Sequence, residues 1–177
     1  MRNISLFDDG LPVAVPHSST AQARDAGPGL SKGQAALSRI RDFMHVAQST
    51  TVEQLMLGEE GQFFIDKMIE LDGRITTMPS THGQQDVRDP IAYLHYFIGG
   101  SDWYITEKDQ DGSGVEQAFG YACLNGDMLS AEYGCIPIVE LVDVAIRGFH
   151  VELDFHFDPR PMSEVIQGLK LKNGLGY

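Results

Sequence analysis

At Pro90 the hydrophobic period of this 177-residue chain changes, and that change constrains the fold more than any other feature. Before it, apolar residues recur three and four positions apart, as on one face of a helix. After it, they alternate, as on a strand. Leu37, Ile40, Arg41, Met44 and Ala47 keep helical spacing behind Ser31, a good N-cap, which predicts a helix over residues 32–48. Ser49, Thr50 and Thr51 then re-cap the chain, and Thr51 and Gln54 stand at capping-box spacing for a short helix that ends before Gly58 and Gly61. Phe64, Ile65, Met68 and Ile69 mark a third helix over 62–71, with Gly73 as its C-cap and a loop over 76–89.

Beyond Pro90, residues 91–97, 103–107, 118–124 and 132–135 read as strands, the second and third joined by a polar hairpin tip at 109–114. Pro137 suits the first position of an inserted helix reaching about Ala145. Residues 149–157 alternate throughout and read as one strand, and Pro159 and Pro161 lead into a last helix over 162–170. This order predicts an α+β fold: N-terminal helices packed on a mostly antiparallel β-meander, with one inserted helix and a C-terminal helix. Residues 1–31 keep no period and are expected to form a flexible arm. Residues 32–177 are long enough for a single domain, its helical part at 32–75 and its sheet part at 90–170.

Charge narrows the partners. The net charge is −12, and the stretch from Asp89 to Glu164 carries −11, from fourteen acids against Lys108, Arg147 and Arg160. Such a chain cannot neutralise phosphates, so nucleic acid is excluded as a direct partner and an anionic membrane is disfavoured. Acid can serve solubility alone; it also complements a basic protein surface and speeds encounter with it. No apolar run reaches the ~18–20 residues that cross a bilayer. Residues 1–9 lack the apolar segment of a signal peptide, so a cytoplasmic location is expected. Cys123 and Cys135 are too few for a disulfide framework, and both are expected to stay reduced.

No motif of nucleophilic, phosphate-binding or zinc-hydrolase type is present, and no cofactor is implied. The segment 149–157 is the nearest approach to a site. On a single strand His150, Glu152, Asp154 and His156 share one face, which is either the wet face of a half-buried strand or a set of metal ligands. Pairing between this strand and the one carrying Trp103 would gather Glu107, Asp109, Glu152, Asp154 and His156 around a divalent ion. The tip at Asp109 and Asp111 resembles the start of a calcium loop but lacks its closing glutamate, and reads as a turn. His95 sits in an apolar strand and reads as a satisfied core residue. Trp103 and Tyr104 face opposite sides of their strand, one towards the core and the other a candidate surface anchor.

The segment Asp102-Trp103-Tyr104-Ile105-Thr106-Glu107-Lys108-Asp109 is similar to the core of a bacterial domain-of-unknown-function family carried by plasmids, conjugative elements and phages. The likeness continues through Phe119-Gly120, Glu132-Tyr133-Gly134, Glu140-Leu141, Glu152 with Asp154, and Ser163-Glu164, covering about residues 90–166 in order. The resemblance implies an accessory protein of mobile DNA, with no activity to carry over. Combined with the charge, it leads to the expectation of a non-enzymatic inhibitor of a host defence complex, of CRISPR or restriction type, that occupies a basic nucleic-acid-binding surface. Trp103, Tyr104, Glu107, Asp109, Asp111, Glu152 and Asp154 are the candidate contacts.

Overall fold

The computed structural model describes residues 28–174, so the expected arm lies, except for its last four residues, outside the described residues. Those four belong to helix α1, Pro28–Ile40, which places Ser31 inside the first turn rather than at the cap. Gly33, Ala36, Leu37 and Ile40 form its buried stripe. The helix does not run on to residue 48. A tight 3-10 turn at Arg41–Phe43 and an extended Met44 break it, and His45 caps a new helix, α2, Val46–Leu55, by accepting from the Ala47 N–H at 3.1 Å. The hydroxyls predicted to re-cap the chain therefore lie within α2, where Ser49 and Thr51 donate back to the carbonyls of Val46 and Ala47.

Helix α3, Gly61–Thr77, passes straight through Gly73, the expected C-cap. Tertiary bonding carries it onward: the next residue, Arg74, is buried and donates to the Phe157 carbonyl and the Glu70 carboxylate. The remaining elements are β1 (Ile91–Ala92), β2 (Leu94–Ile98), β3 (Ser101–Glu107), β4 (Ala118–Cys123), β5 (Glu132–Ile136), α4 (Ile138–Leu141), β6 (Ala145–Ile146), β7 (Phe149–His150), β8 (Glu152–Leu153), β9 (Arg160–Pro161) and α5 (Met162–Lys172).

The main sheet has the order β5-β4-β3-β2-β8, every named pairing antiparallel, which makes the fold α+β as expected. The segment 149–157 is not one strand. Arg147 and Gly148 adopt positive φ and fold β7 back on β6; only β8 then joins the sheet, beside β2. The inserted helix is correspondingly short, because the chain leaves it at Leu141 to enter this small hairpin.

Alternation gives the sheet two unlike faces. Leu94, Tyr96, Ile98, Ile105, Ala118, Ile136 and Leu153 face the helical layer and complete the larger core with Leu37, Ile40, Met68 and Leu71. Tyr104, Tyr121 and Cys123 face the other way, under Met162, Val165 and Leu169 of α5. At one flank of the sheet, Gln48 of α2 accepts from the Leu153 N–H at 3.1 Å and donates to its carbonyl at 2.8 Å.

Candidate functional site

Helix α5 covers only part of its face, and the remainder borders a cleft of about 630 Å³. Its floor is Phe119 of β4 with Tyr133 and Cys135 of β5; Val87 and Arg88 stand on one wall and Asp111 on another. The first wall is the loop 81–90, held by an acid that sequence reasoning placed on the surface. Glu107 is buried, and its carboxylate accepts the backbone N–H groups of His82, at 2.8 Å, and Gln84. His82 has φ +74°, a left-handed turn that aims both N–H groups at one side chain. Gln84 completes the staple by donating to the carbonyls of Thr106 and Ile91 and accepting from the Ile91 N–H.

The opposite wall is the β3–β4 connection. Asp109 turns its carboxylate inward and accepts from the backbone N–H groups of Asp111 at 3.2 Å and Gln117 at 3.0 Å, so it shapes the loop, while Asp111 is exposed. On the floor, Phe119 and Tyr133 stack with centroids 6.2 Å apart. Burial, with Asp89 and Tyr121 nearby, pushes the Tyr133 phenol up, so it stays a neutral donor.

Glu152 belongs elsewhere. It borders a second cleft of about 330 Å³ with His45, Phe64, Phe149 and His150. There the His45 and His150 rings stack 3.6 Å apart, and the Nδ1 of His150 is buried without a hydrogen-bond partner.

Asp154 and His156 border a third hollow of about 270 Å³, beside α5. Asp154 bonds His95 Nδ1 at 2.9 Å, and His95 Nε2 bonds Asp102 at 3.0 Å. Lys172 of α5 completes the chain by donating to both Asp102 oxygens, at 2.9 and 3.1 Å. Burial alone would raise the Asp102 carboxyl; the bonds from His95 and Lys172 and the Lys172 charge outweigh it and hold it below the usual range. The sequence reading missed Asp102 and Lys172 as a linked set. The available signal was diagonal: His95 pairs with Tyr104, and Asp102 lies two residues along the same face of β3.

The predicted site residues other than Trp103 are thus divided among three separate clefts. The expected metal set does not converge, because β8 pairs with β2 and not with the strand carrying Trp103, which lies between β2 and β4. Among the described residues, no group of three or more His, Cys, Asp or Glu is placed to hold an ion. Neither aromatic of the Trp103–Tyr104 pair is an exposed anchor. Tyr104 is buried, stacked on His95 at 4.5 Å, and Trp103 is half-buried against the larger core. The Cys123 thiol is pushed up by burial first and then by Asp102, which suits an inert core residue. Ten of the fourteen acids between 89 and 164 are exposed, faced by Arg147 and Arg160 as the exposed bases of that stretch, so the negative charge stays on the surface.

No described helix is long and apolar enough to cross a membrane. Comparison with protein-family models, curated proteins and solved structures found no match.

Proposed function

We propose that this chain is a non-enzymatic binding protein that engages a basic surface on another protein, as a cytoplasmic accessory factor of a mobile genetic element. The target class is a host nucleic-acid-binding defence complex, and the acidic surface occupies the ground that nucleic acid would take. One observation carries this reading. The acids of the sheet half are mostly exposed and unmatched by exposed bases, which costs self-repulsion and is offset when a basic partner binds. The resemblance at residues 102–109 supplies the genetic setting.

The test is a tagged pull-down from bacterial lysate, eluted with a salt gradient and identified by mass spectrometry. The expected result is a stoichiometric nucleic-acid-binding protein released at moderate salt, because exposed charge pairs are screened beyond ~10 Å at 0.1 M ionic strength. Binding indifferent to salt ends the charge-mimicry reading.

A further inference from the structure

The two edges of the main sheet are treated differently. At one edge, β8 is two residues long, and Gln48 bonds both the N–H and the C=O of Leu153 as a neighbouring strand would. At the other edge β5 runs for five residues, with β4 as its one strand neighbour among the described residues. Sheet proteins blunt a free edge with lysines, prolines, bulges or covering elements. Within β5 there is no lysine or proline, its pairing with β4 runs in continuous register, and Glu132, Tyr133 and Cys135 are exposed. Alternate residues of such a strand direct their N–H and C=O groups outwards, over ~17 Å for five residues.

Tyr133 and Cys135 also form the floor of the 630 Å³ cleft, so the free edge and this cleft are one continuous feature. We infer that β5 is the docking edge for an extended, basic segment of the partner protein, which adds to the sheet as a sixth strand and places side chains in the cleft; this rests on the binding function proposed above. Charge selects the occupant. Glu132 is exposed on β5 itself, and Asp109 and Asp111 line the cleft, Asp111 exposed. Arg88 is the basic residue of the lining, and it also borders the shallower hollow beside Asp89 and Ser163. A second copy of this chain would bring −12 against −12, so pairing of two β5 edges is opposed. An added strand takes affinity from main-chain bonds and selectivity from alternate side chains, here an apolar residue over Phe119 and Tyr133 and a Lys or Arg near Asp111.

The test titrates the whole protein, ¹⁵N-labelled, with three eight-residue peptides: one alternating Val and Lys, the same peptide with a central proline, and one alternating Val and Glu. The expected result is binding of the Val/Lys peptide with amide shifts in residues 132–136 and 119. The proline peptide should bind at least about tenfold more weakly, and the Val/Glu peptide should leave the spectrum unchanged. Cys135→Arg, at an exposed position, and Tyr133→Ala should each weaken the Val/Lys peptide about tenfold, with thermal melts confirming that both variants fold. Asp143→Lys, on the exposed surface away from the cleft lining, should change affinity less than threefold. If all three charge and edge variants behave alike, or the shifts fall elsewhere while binding stays salt-sensitive, the edge proposal is overturned and the acidic-surface reading stands. If the Val/Lys peptide produces no shifts at low salt, the edge proposal is overturned, and the lysate pull-down alone decides the acidic-surface reading. Equal binding of the proline peptide, or a dimer in solution with β5 at its interface, also overturns the added strand.

Discussion

Gln48 meets Leu153 as one strand meets another: a single side-chain amide accepts from the Leu153 N–H and donates to its C=O across 105 positions of sequence. Leu153 is 2% exposed, so neither group has water as an alternative. Gln48→Leu should therefore cost about 2 kcal/mol, the penalty of an unpaired buried polar group, read as a lower urea midpoint with an unchanged slope. Gln48→Glu still accepts from the N–H but sets a carboxylate oxygen against the Leu153 carbonyl, so it should cost at least as much as Gln48→Leu.

Asp102 offers a pH signature. Its carboxyl sits below the ordinary range in the fold, so its contribution is fully present above about pH 4, the unfolded value, and is lost as pH falls through the folded value. Asp102→Asn should lower stability by about 2 kcal/mol at pH 7. The gap from wild type should hold down to about pH 5 and close below about pH 4. A gap that persists unchanged at pH 3 would show that shape, not charge, is what the position supplies.

Removing Glu107 should open a loop rather than abolish a contact with a partner. Its two accepted N–H bonds tie His82 and Gln84 to the end of β3, and a charged acceptor bond contributes about 1.5–3 kcal/mol. Glu107→Ala is expected to destabilise the fold by about 3 kcal/mol. It should also raise hydrogen exchange selectively at residues 81–89. Uniform exchange across the sheet would contradict the local role.

Two glycines should respond oppositely to the same substitution. A Cβ on Gly120 would lie 2.2 Å from the Tyr104 carbonyl oxygen and 3.0 Å from the Ile105 Cα, both backbone atoms of the neighbouring strand. Gly120→Ala should cost about 3 kcal/mol or more. Gly134, its cross-strand partner, has open space where the methyl would go, and Gly134→Ala should stay within about 0.5 kcal/mol of wild type. Thermal melts of the pair separate steric conflict from general sensitivity of β4 and β5.

The sheet half was legible because its signals are local. Alternation, glycine-rich turns and prolines set β3 to β5 and α5 within a residue or two of their observed bounds, whereas the single strand expected over 91–97 is divided at Tyr93 into β1 and β2, which belong to different sheets. The helical half was less so, because partners far along the chain decide its breaks. Arg74 reaches Phe157 and so carries α3 past Gly73, and His45 outcompetes the Ser49 hydroxyl as a cap. Alternation over 149–157 misled for a related reason. A period of two says which side chains share a face only while the strand continues, and the segment breaks at Val151, whose N–H turns to the Val144 carbonyl, so that β7 pairs with β6 and β8 with β2. The acids carry the same lesson. Glu107, Asp109 and Asp154 read as contacts for a partner, yet backbone N–H groups and His95 take up their oxygens. Which carboxylate stays free for a partner is settled by pairings that sequence spacing does not encode.

The late arrival of β8 also orders the folding of the sheet. β2 to β5 form by successive hairpins between near neighbours, contacts that close quickly. β2 receives its other neighbour only when Leu153 has been made, and Gln48 must then find the same residue. Until then the meander has both flanks bare, β2 included, and unpaired strand edges of that kind are what makes a partly folded chain prone to aggregate. Gln48 ends it on one side: once it clasps Leu153 across 105 positions of sequence, β5 is the edge of the main sheet that stays open among the described residues.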